Sequence, residues 1–356
     1  MVRRSAGRPS LATVAERLGV STATVSNTFN RPEKVSSVVR AKVLAEAERQ
    51  GYAGPDPAAR QLSRGRTDTV GLLFTDELAH AFRDPAAVAF IEGLALSCRS
   101  AGLNMLLIST ESTGDRTSAV GNAVVDGFVV YSVAGDDPHL RRILDRQLPT
   151  VVVDSPPDLP GVDWVGPDDR AGAHALGAVL TGLGHRRIGV IAGTGRGDYA
   201  GPAEGDRFAG EPASVHRNRI LGLQDALRAV GVTDLPIEER PDNSVEAGAD
   251  ALQALLNRRP DLTAVCALMD LLALGALRAA ADRGLSVPRD LTITGYDDIP
   301  QAAAAGLTTV SQPLTDKGRI AGELYLSHRP GDAPRRRVLP THVRVRATSG
   351  PPRGSP

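Results

Sequence analysis

Leu11, Val14, Ala15 and Leu18 recur at i, i+3, i+4 and i+7, which puts one apolar stripe on a short helix with Ser10 as its cap and Gly19 as its stop. After Val20-Ser21 a second short helix runs from Thr22 to Phe29, capped by Ser21. It buries Val25 and Phe29 and turns Thr22, Ala23, Ser26 and Asn27 outward. A third, capped near Ser36 or Ser37, carries Val39, Val43 and Ala47 inward and ends at Gly51, with Glu46, Glu48 and Arg49 expected on a solvated face. From residue 68 the texture changes. The apolar runs Val70–Phe74, Leu103–Ile108, Gly127–Val133 and Thr150–Val153 read as buried strands, separated by helical stretches near 86–99, 115–123 and 138–147. The pattern then repeats, with strands at Ile188–Ala192, Ala264–Leu268 and Leu291–Gly295 and helices near 170–182, 217–229, 245–259 and 271–283. Continuous apolar strands joined by helices predict parallel sheets covered on both faces. The expected fold is an N-terminal all-α helix-turn-helix domain followed by an α/β body of two doubly wound parallel-sheet lobes.

Charge separates the same two regions. The 356 residues sum to a formal net charge of zero, yet residues 1–66 hold 12 Arg or Lys against 5 acids, while the remainder holds 29 against 36. A basic head on an acidic body is the asymmetry of a chain whose head alone meets a polyanion, because phosphate contacts supply most sequence-independent affinity for DNA. Small Ala15 between two helices, Gly19 at the turn and Val25 packing back stand at the offsets of a helix-turn-helix, whose second helix presents its N-terminal residues to base edges in the major groove. No run of about 18 apolar residues occurs, and the start Met1-Val2-Arg3-Arg4-Ser5 is polar, so neither a membrane segment nor a secretory signal is expected and the protein should be cytoplasmic. Cys98 and Cys266 have no partner at metal-ligand spacing and read as small core residues rather than a disulfide or a metal site.

The head carries a specific likeness. Thr13-Val14-Ala15-Glu16, the run Gly19 to Asn27, Asn30, Val35-Ser36, Gly51-Tyr52 and Pro57-Ala58-Ala59-Arg60-Gln61-Leu62 together resemble the lactose/galactose/purine repressor family. That resemblance implies a sequence-specific transcription regulator, a repressor by type, that contacts duplex DNA through Ser21, Thr22, Ala23, Thr24, Ser26, Asn27 and Asn30. It also implies a hinge helix over Ala58 to Ser63 that folds only on the operator, with Ala59 at the DNA and Leu62 wedged into the minor groove. A six-residue helix is too short to stand alone, which fits folding on contact. Two positions depart from the pattern. Asn27 stands where many relatives carry Arg or His, which predicts an altered base preference because Asn pairs bidentately with adenine. Gly54 precedes Pro55-Asp56 where the family has Pro-Asn.

Over the body the likeness continues through Asp126-Gly127, Leu183-Gly184-His185-Arg186-Arg187-Ile188, Asp270 before Ala273 and Gly275, Val287-Pro288 and Thr294-Gly295-Tyr296-Asp297-Asp298. It implies a periplasmic-binding-protein-like fold whose chain crosses three times between lobes. The expected division is a headpiece at 1–55, a hinge and linker at 56–67, an N-terminal lobe from 68–167 with 308–332, a C-terminal lobe from 168–307 with 333–349, and a disordered tail at 350–356. A homodimer on a pseudo-palindromic operator is implied. The tail after Thr348 lacks a leucine heptad, so no coiled-coil tetramer is expected.

Asp168, Arg219, Asp270 and Asp297 match family positions lining the cleft where a small effector binds, with Asp169 the alternative to Asp168. Asp270 and Asp297 also end predicted strands, where ligands of such sheets bind. Three carboxylates and one guanidinium suit a hydroxyl-rich ligand, a sugar, polyol or nucleoside, since ionised Asp only accepts hydrogen bonds and Arg only donates them. Phe74 is the aromatic candidate to stack on it, Trp164 the second. His185 lies away from the cleft in the family and is assigned a structural role. Neither a Ser/His/Asp arrangement nor a cofactor site is visible. Gly193-Thr194-Gly195-Arg196-Gly197 follows a strand, but its third glycine comes one residue early for a dinucleotide loop and no helix opens behind it, so an NAD-dependent dehydrogenase is disfavoured. A DNA-binding protein with an inert dimerising body is the other alternative, opposed by charged cleft positions that would be costly to bury without a ligand or water.

Overall fold

The computed structural model describes residues 9–54, 65–74, 81–109, 118–193, 199–203 and 214–353. The chain divides into two compact units, Met1–Thr67 and Asp68–Pro356.

In the first unit, α1 (Leu11–Leu18), α2 (Thr22–Asn30), a 3₁₀ turn (Pro32–Lys34) and α3 (Ser37–Gln50) enclose a small core. Serines 10, 21 and 36 cap the three α-helices, and Ser10 exchanges hydrogen bonds with Thr13 in a capping box. Gly19 and Gly51 end α1 and α3 in the left-handed conformation, at φ 65° and 68°. Val14, Ala15, Val25, Val43 and Ala47 form the core, and Phe29 meets Tyr52 edge-on at 5.8 Å. Glu46, expected on a solvated face, is buried instead. It accepts from Gln50 Nε2 at 2.6 Å and pairs with Arg49, while Gln50 Oε1 accepts from Thr13 Oγ1 at 2.9 Å and so ties α3 to α1.

The second unit builds two sheets. The first lobe contains β1 (Thr69–Phe74), α4 (Pro85–Ser100), β2 (Asn104–Ser109), α5 (Ser118–Asn122), β3 (Gly127–Tyr131), α6 (Pro138–Asp145), β4 (Thr150–Val153) and β5 (Asp163–Pro167). The second contains α7 (Asp169–Gly182), β6 (Ile188–Gly193), β7 (Gly201–Pro202), α8 (Val215–Arg228), β8 (Ile237–Arg240), α9 (Val245–Arg258), β9 (Ala264–Ala267), α10 (Asp270–Asp282), β10 (Thr292–Asp297), α11 (Pro300–Ala304) and β11 (Thr308–Ser311). The chain then returns to the first lobe for α12 (Leu314–Leu326) and β12 (Arg336–Leu339), and ends its strands in the second with β13 (His342–Arg344). The sheet orders are β12-β5-β4-β3-β1-β2 and β13-β11-β10-β9-β6-β8-β7, parallel except at the edge strands β7 and β13. Both contain the doubly wound order 2-1-3-4-5, and every parallel strand delivers its carboxyl end to the side where such sheets bind ligands.

Two expected lobe boundaries move. Residues 308–311 form β11 beside β10 in the second lobe, and 336–339 form β12 beside β5 in the first, so the later crossings fall at Gln312-Pro313 and Pro340-Thr341. Buried Thr308, Thr309 and Val310 complete the second sheet before the chain leaves it. The strand β8 has one apolar residue, Ile237, and three charged ones. Its Glu238 and Arg240 are buried because Arg240 pairs with Glu238 at 2.7 Å and Asp250 at 2.8 Å, and Arg258 closes on Glu238.

His185 is fully buried between Thr263 Oγ1, 2.9 Å from Nδ1, and the carbonyl of Gly350, 2.8 Å from Nε2. Burial lowers its pKa below the usual 6.5. The unfolded chain therefore takes up the proton first, and stability present above that value is lost as pH falls through it. Thermal melts should show a midpoint falling between about pH 7.5 and about pH 5.5. His185→Gln should flatten that fall while lowering stability at the higher pH by about 1–3 kcal/mol. An identical pH dependence in the variant would contradict this assignment.

Candidate functional site

On the headpiece, α2 presents exposed Ser21, Thr22 and Ala23, followed by half-buried Thr24, Ser26, Asn27 and Asn30, while Val25 and Thr28 point into the core. Thr28 back-bonds to Thr24 O at 3.0 Å and Asn30 Nδ2 donates to Ser26 Oγ at 3.2 Å. Ser21 Oγ accepts from Thr24 N at 3.0 Å as the cap, so these two side chains also hold the helix start. Ala59 and Leu62 lie outside the described residues, as does all of the hinge segment.

In the body, the carboxyl ends of four parallel strands bring Phe74, Tyr131, Asp154 and Asp297 to one region: three end β1, β3 and β10, and Asp154 follows β4 directly. Arg219 reaches it from α8. A Cβ on Gly222, one turn further along, would lie 2.2 Å from the carbonyl oxygen of Arg170, so α8 and α7 touch almost backbone to backbone. That contact places Arg219 Nε 2.8 Å from Asp169 Oδ1. The same guanidinium donates to Leu268 O, stands 3.4 Å from Asp297 Oδ1 and covers the Tyr296 ring at 3.6 Å. Asp297 Oδ1 accepts from Gln312 Nε2 at 2.6 Å, and Gln312 Oε1 accepts from Lys317 Nζ at 3.1 Å. Lys317 in turn donates to Asp154 Oδ2 at 2.7 Å. Asp169, Arg219, Asp297, Gln312, Lys317 and Asp154 thus form one continuous buried chain from the second lobe to the first. A second bridge joins Asn243 Nδ2 to Asp84 Oδ2 at 3.3 Å. Beside them Tyr131 packs on Phe90 and Phe74, at 4.5 Å and 5.1 Å between ring centres.

Burial raises the pKa of Asp84, Asp169 and Asp297, and Arg219 draws the last two back toward ionisation. Against burial, which alone would lower it, Asp169 and Asp297 hold the Arg219 guanidinium above its ordinary value. Burial also raises Tyr131, helped by the nearby charges of Asp154, Asp84 and Asp297. Asp154 and Asp297 adopt positive φ, 63° and 117°, and such backbone strain concentrates where a side chain must be held at a fixed angle.

Of the residues singled out from the sequence, Phe74, Arg219 and Asp297 stand in this region. Asp168 does not: it is exposed and caps α7 through Ala171 N at 2.9 Å, and its neighbour Asp169 is the carboxylate on Arg219. Asp270 lies beneath the site. It is fully buried, accepts from Thr309 Oγ1 at 2.6 Å and Ile299 N at 3.0 Å, and fits only because Gly295 has no side chain, a Cβ there lying 2.2 Å from its Oδ1. Burial pushes its pKa up to about 7. Its place is a brace under the turn that follows Asp297. Trp164 is core, with Arg336 stacked on it at 4.1 Å. Asp84, Tyr131, Asp154, Gln312 and Lys317 were not anticipated. The strand-end rule, which pointed to Phe74, would also have found Asp154 after Thr150–Val153, whereas the expected strand Gly127–Val133 ran past Tyr131. Gln312 and Lys317 sit at a crossover and carry no such signal. Of the glycine-rich segment 193–197, only Gly193 lies within the described residues, as the last residue of β6.

Comparison with known proteins agrees with this architecture. Residues 10–54 match the family described as bacterial regulatory proteins, lacI family, and residues 178–349 match the periplasmic binding protein-like domain. The HTH-type transcriptional regulator Rv3575c of Mycobacterium tuberculosis is 43% identical over 351 residues, covering 97% of this chain and 98% of its own. The chain belongs to the LacI family of bacterial regulatory proteins. It is a DNA-binding transcription regulator with a periplasmic-binding-protein-like body, not an enzyme. Among solved structures, the transcriptional regulator CelR in complex with cellobiose superposes with TM-score 0.69 at 29% identity over 96% of this chain and all of its own. The lac repressor dimer bound to operator and the anti-inducer ONPF reaches TM-score 0.75 at 24% identity over 96% and 99%, a likeness of fold. Among the described residues no helix is long and apolar enough to cross a membrane, and no cluster of three His, Cys, Asp or Glu could hold a metal.

Removing Arg219 leaves Asp169 and Asp297 buried without their cation. Chemical denaturation of Arg219→Ala should show a loss of about 3–5 kcal/mol, against about 0.5–2 kcal/mol for the exposed cap in Asp168→Ala. Equal losses would mean that Arg219 is not the buried counter-charge described here.

Proposed function

We propose that this regulator is a homodimeric repressor whose operator affinity is set by a small hydroxyl-rich effector held between the two lobes. The observation that carries the reading is the buried polar chain at the carboxyl ends of both sheets, from Asp169 through Arg219, Asp297, Gln312 and Lys317 to Asp154. It is rich in acceptors and in fixed donors, the chemistry that recognises a sugar or polyol. Phe74 and Tyr131 supply the apolar surface beside it. Cellobiose in the related CelR complex supports the same ligand class. A body that served only to dimerise would have no use for so many desolvated charges.

On the DNA side, two copies of α2 would present Thr22, Ala23, Ser26 and Asn27 to successive major grooves of a pseudo-palindrome, with the hinge segments and Leu62 meeting between them. The protein then acts where the chromosome lies, in the cytoplasm. The effector changes operator affinity by binding one arrangement of the lobes better than another, which is all that allostery requires.

Selection of bound sites from a random DNA library, followed by anisotropy titrations, tests this. Binding should weaken steeply with salt. Asn27→Ala should relax an adenine preference at one position of each half-site, by about 1–3 kcal/mol. A sugar that shifts operator affinity for the wild type should have no effect on Arg219→Lys, which still binds operator. A chain with no preferred duplex would overturn the DNA reading. An undiminished sugar response in the Arg219 variant would overturn the effector site.

A further inference from the structure

Resting on that effector reading, the charges at the interlobe face narrow the ligand further. Asp154 has a side chain only 7% exposed, and Lys317 one only 2% exposed. Lys317 Nζ donates to Asp154 Oδ2 and to Gln312 Oε1, which uses two of an ammonium's three hydrogens. Among the described residues Asp154 Oδ1 has no hydrogen-bond partner, although it is buried. Asn243 Oδ1, on the other bridge between the lobes, is likewise buried and unpartnered while its Nδ2 donates to Asp84. An orphaned carboxylate oxygen in a dry site is costly, so these two acceptors mark where donors from elsewhere belong.

The cations at this face are already committed. Arg219 is held between Asp169 and Asp297, and Lys317 is held by Asp154. Against these two stand the carboxyls of Asp84, Asp154, Asp169 and Asp297, so among the described residues at this face an anion would meet two cations already paired and several like charges. A hydroxyl meets neither obstacle: its hydrogen can go to Asp154 Oδ1 while a neighbouring hydroxyl oxygen accepts the third hydrogen of Lys317. Carboxylate and ammonium side by side in fixed geometry are the two halves of a receptor for adjacent hydroxyls, one donating and one accepting.

We infer that Asp154 and Lys317 form the first lobe's half of the effector site, that together they bind a pair of neighbouring hydroxyls on an uncharged polyol or sugar, and that phosphorylated or carboxylated forms of such ligands are excluded. Asn243 takes a further hydroxyl from the second lobe's side. The pair therefore sets specificity, and the ligand's hydroxyls complete the hydrogen bonds of Asp154 Oδ1 and Asn243 Oδ1.

The test is isothermal titration of the full chain with glucose, ribose, cellobiose and sorbitol, beside glucose 6-phosphate, ribose 5-phosphate and gluconate. At least one uncharged compound should bind, and its charged counterpart should bind about tenfold or more weaker. Asp154→Asn keeps the shape and a contact to Lys317 but removes the charge, and should weaken the uncharged ligand about ten- to a hundredfold. Lys317→Met should do the same, with thermal melts confirming that both variants fold. A phosphate ester that binds more tightly than its parent sugar overturns this inference alone, as does a folded Asp154→Asn of unchanged affinity. Failure of every uncharged compound to bind overturns the sugar effector itself.

Discussion

A guanidinium taken out of water is tolerable only when every side of it is satisfied, and the body of this regulator is arranged around one such group. Desolvating Arg219 and its partners costs several kcal/mol per charge, so the side chain requires Asp169 and Asp297 as counter-ions, the Leu268 carbonyl as acceptor and the Tyr296 ring as a face to lie on. The partners come from three places in the second lobe. Asp169 opens α7, Leu268 follows β9, and Tyr296 and Asp297 end β10. The close approach of α8 to α7 at Gly222 brings the first pair together, and Asp270, braced under the Asp297 turn, fixes the height of the last.

The same requirement reaches the other lobe because Asp297 is shared. Gln312 lies on the second crossing between lobes and donates to it. Lys317, on the first turn of α12, donates back to Gln312 and across to Asp154. Separating the lobes would strand buried charges on both sides, whereas a ligand that supplies replacement hydrogen bonds changes that balance. Packed, charge-paired interfaces of this kind move between discrete arrangements rather than deforming gradually, which is the property a regulator needs to turn occupancy of a small site into a change in DNA affinity.

What the sequence disclosed follows from which forces leave a pattern in it. Continuous apolar runs marked β1, β2, β3, β4, β6, β9 and β10, and capping serines marked all three headpiece helices, with glycine stops on the first and third, because burial and capping act on residues close in sequence. That pattern missed β8, whose Glu238 and Arg240 are buried by pairing with Arg258 and Asp250 of α9, and β5, whose five residues include Asp163, Gly166 and Pro167. The site was half legible for the same reason. Arg219 and Asp297 stood out by their place in a motif and at a strand end. The choice of Asp169 over Asp168 depends on which of two adjacent carboxylates faces inward at a helix start, and the role of Lys317 depends on a partner 163 residues away. Asp270 stands just past the end of β9, where a ligand residue would, yet its carboxylate is taken up by Thr309 Oγ1 and Ile299 N in the space left by the missing side chain of Gly295.

The central claim is that the polar chain between the lobes governs the grip on DNA, and Gln312 is the link at which it can be cut with little change in volume. The decisive measurement is the operator dissociation constant of Gln312→Leu with no effector present, set against the wild type at matched salt. The account predicts a change of about fivefold or more, with an unaltered salt slope because the headpiece is untouched. An unchanged constant in a folded variant would show that the lobes and the DNA-binding head are not coupled through this chain.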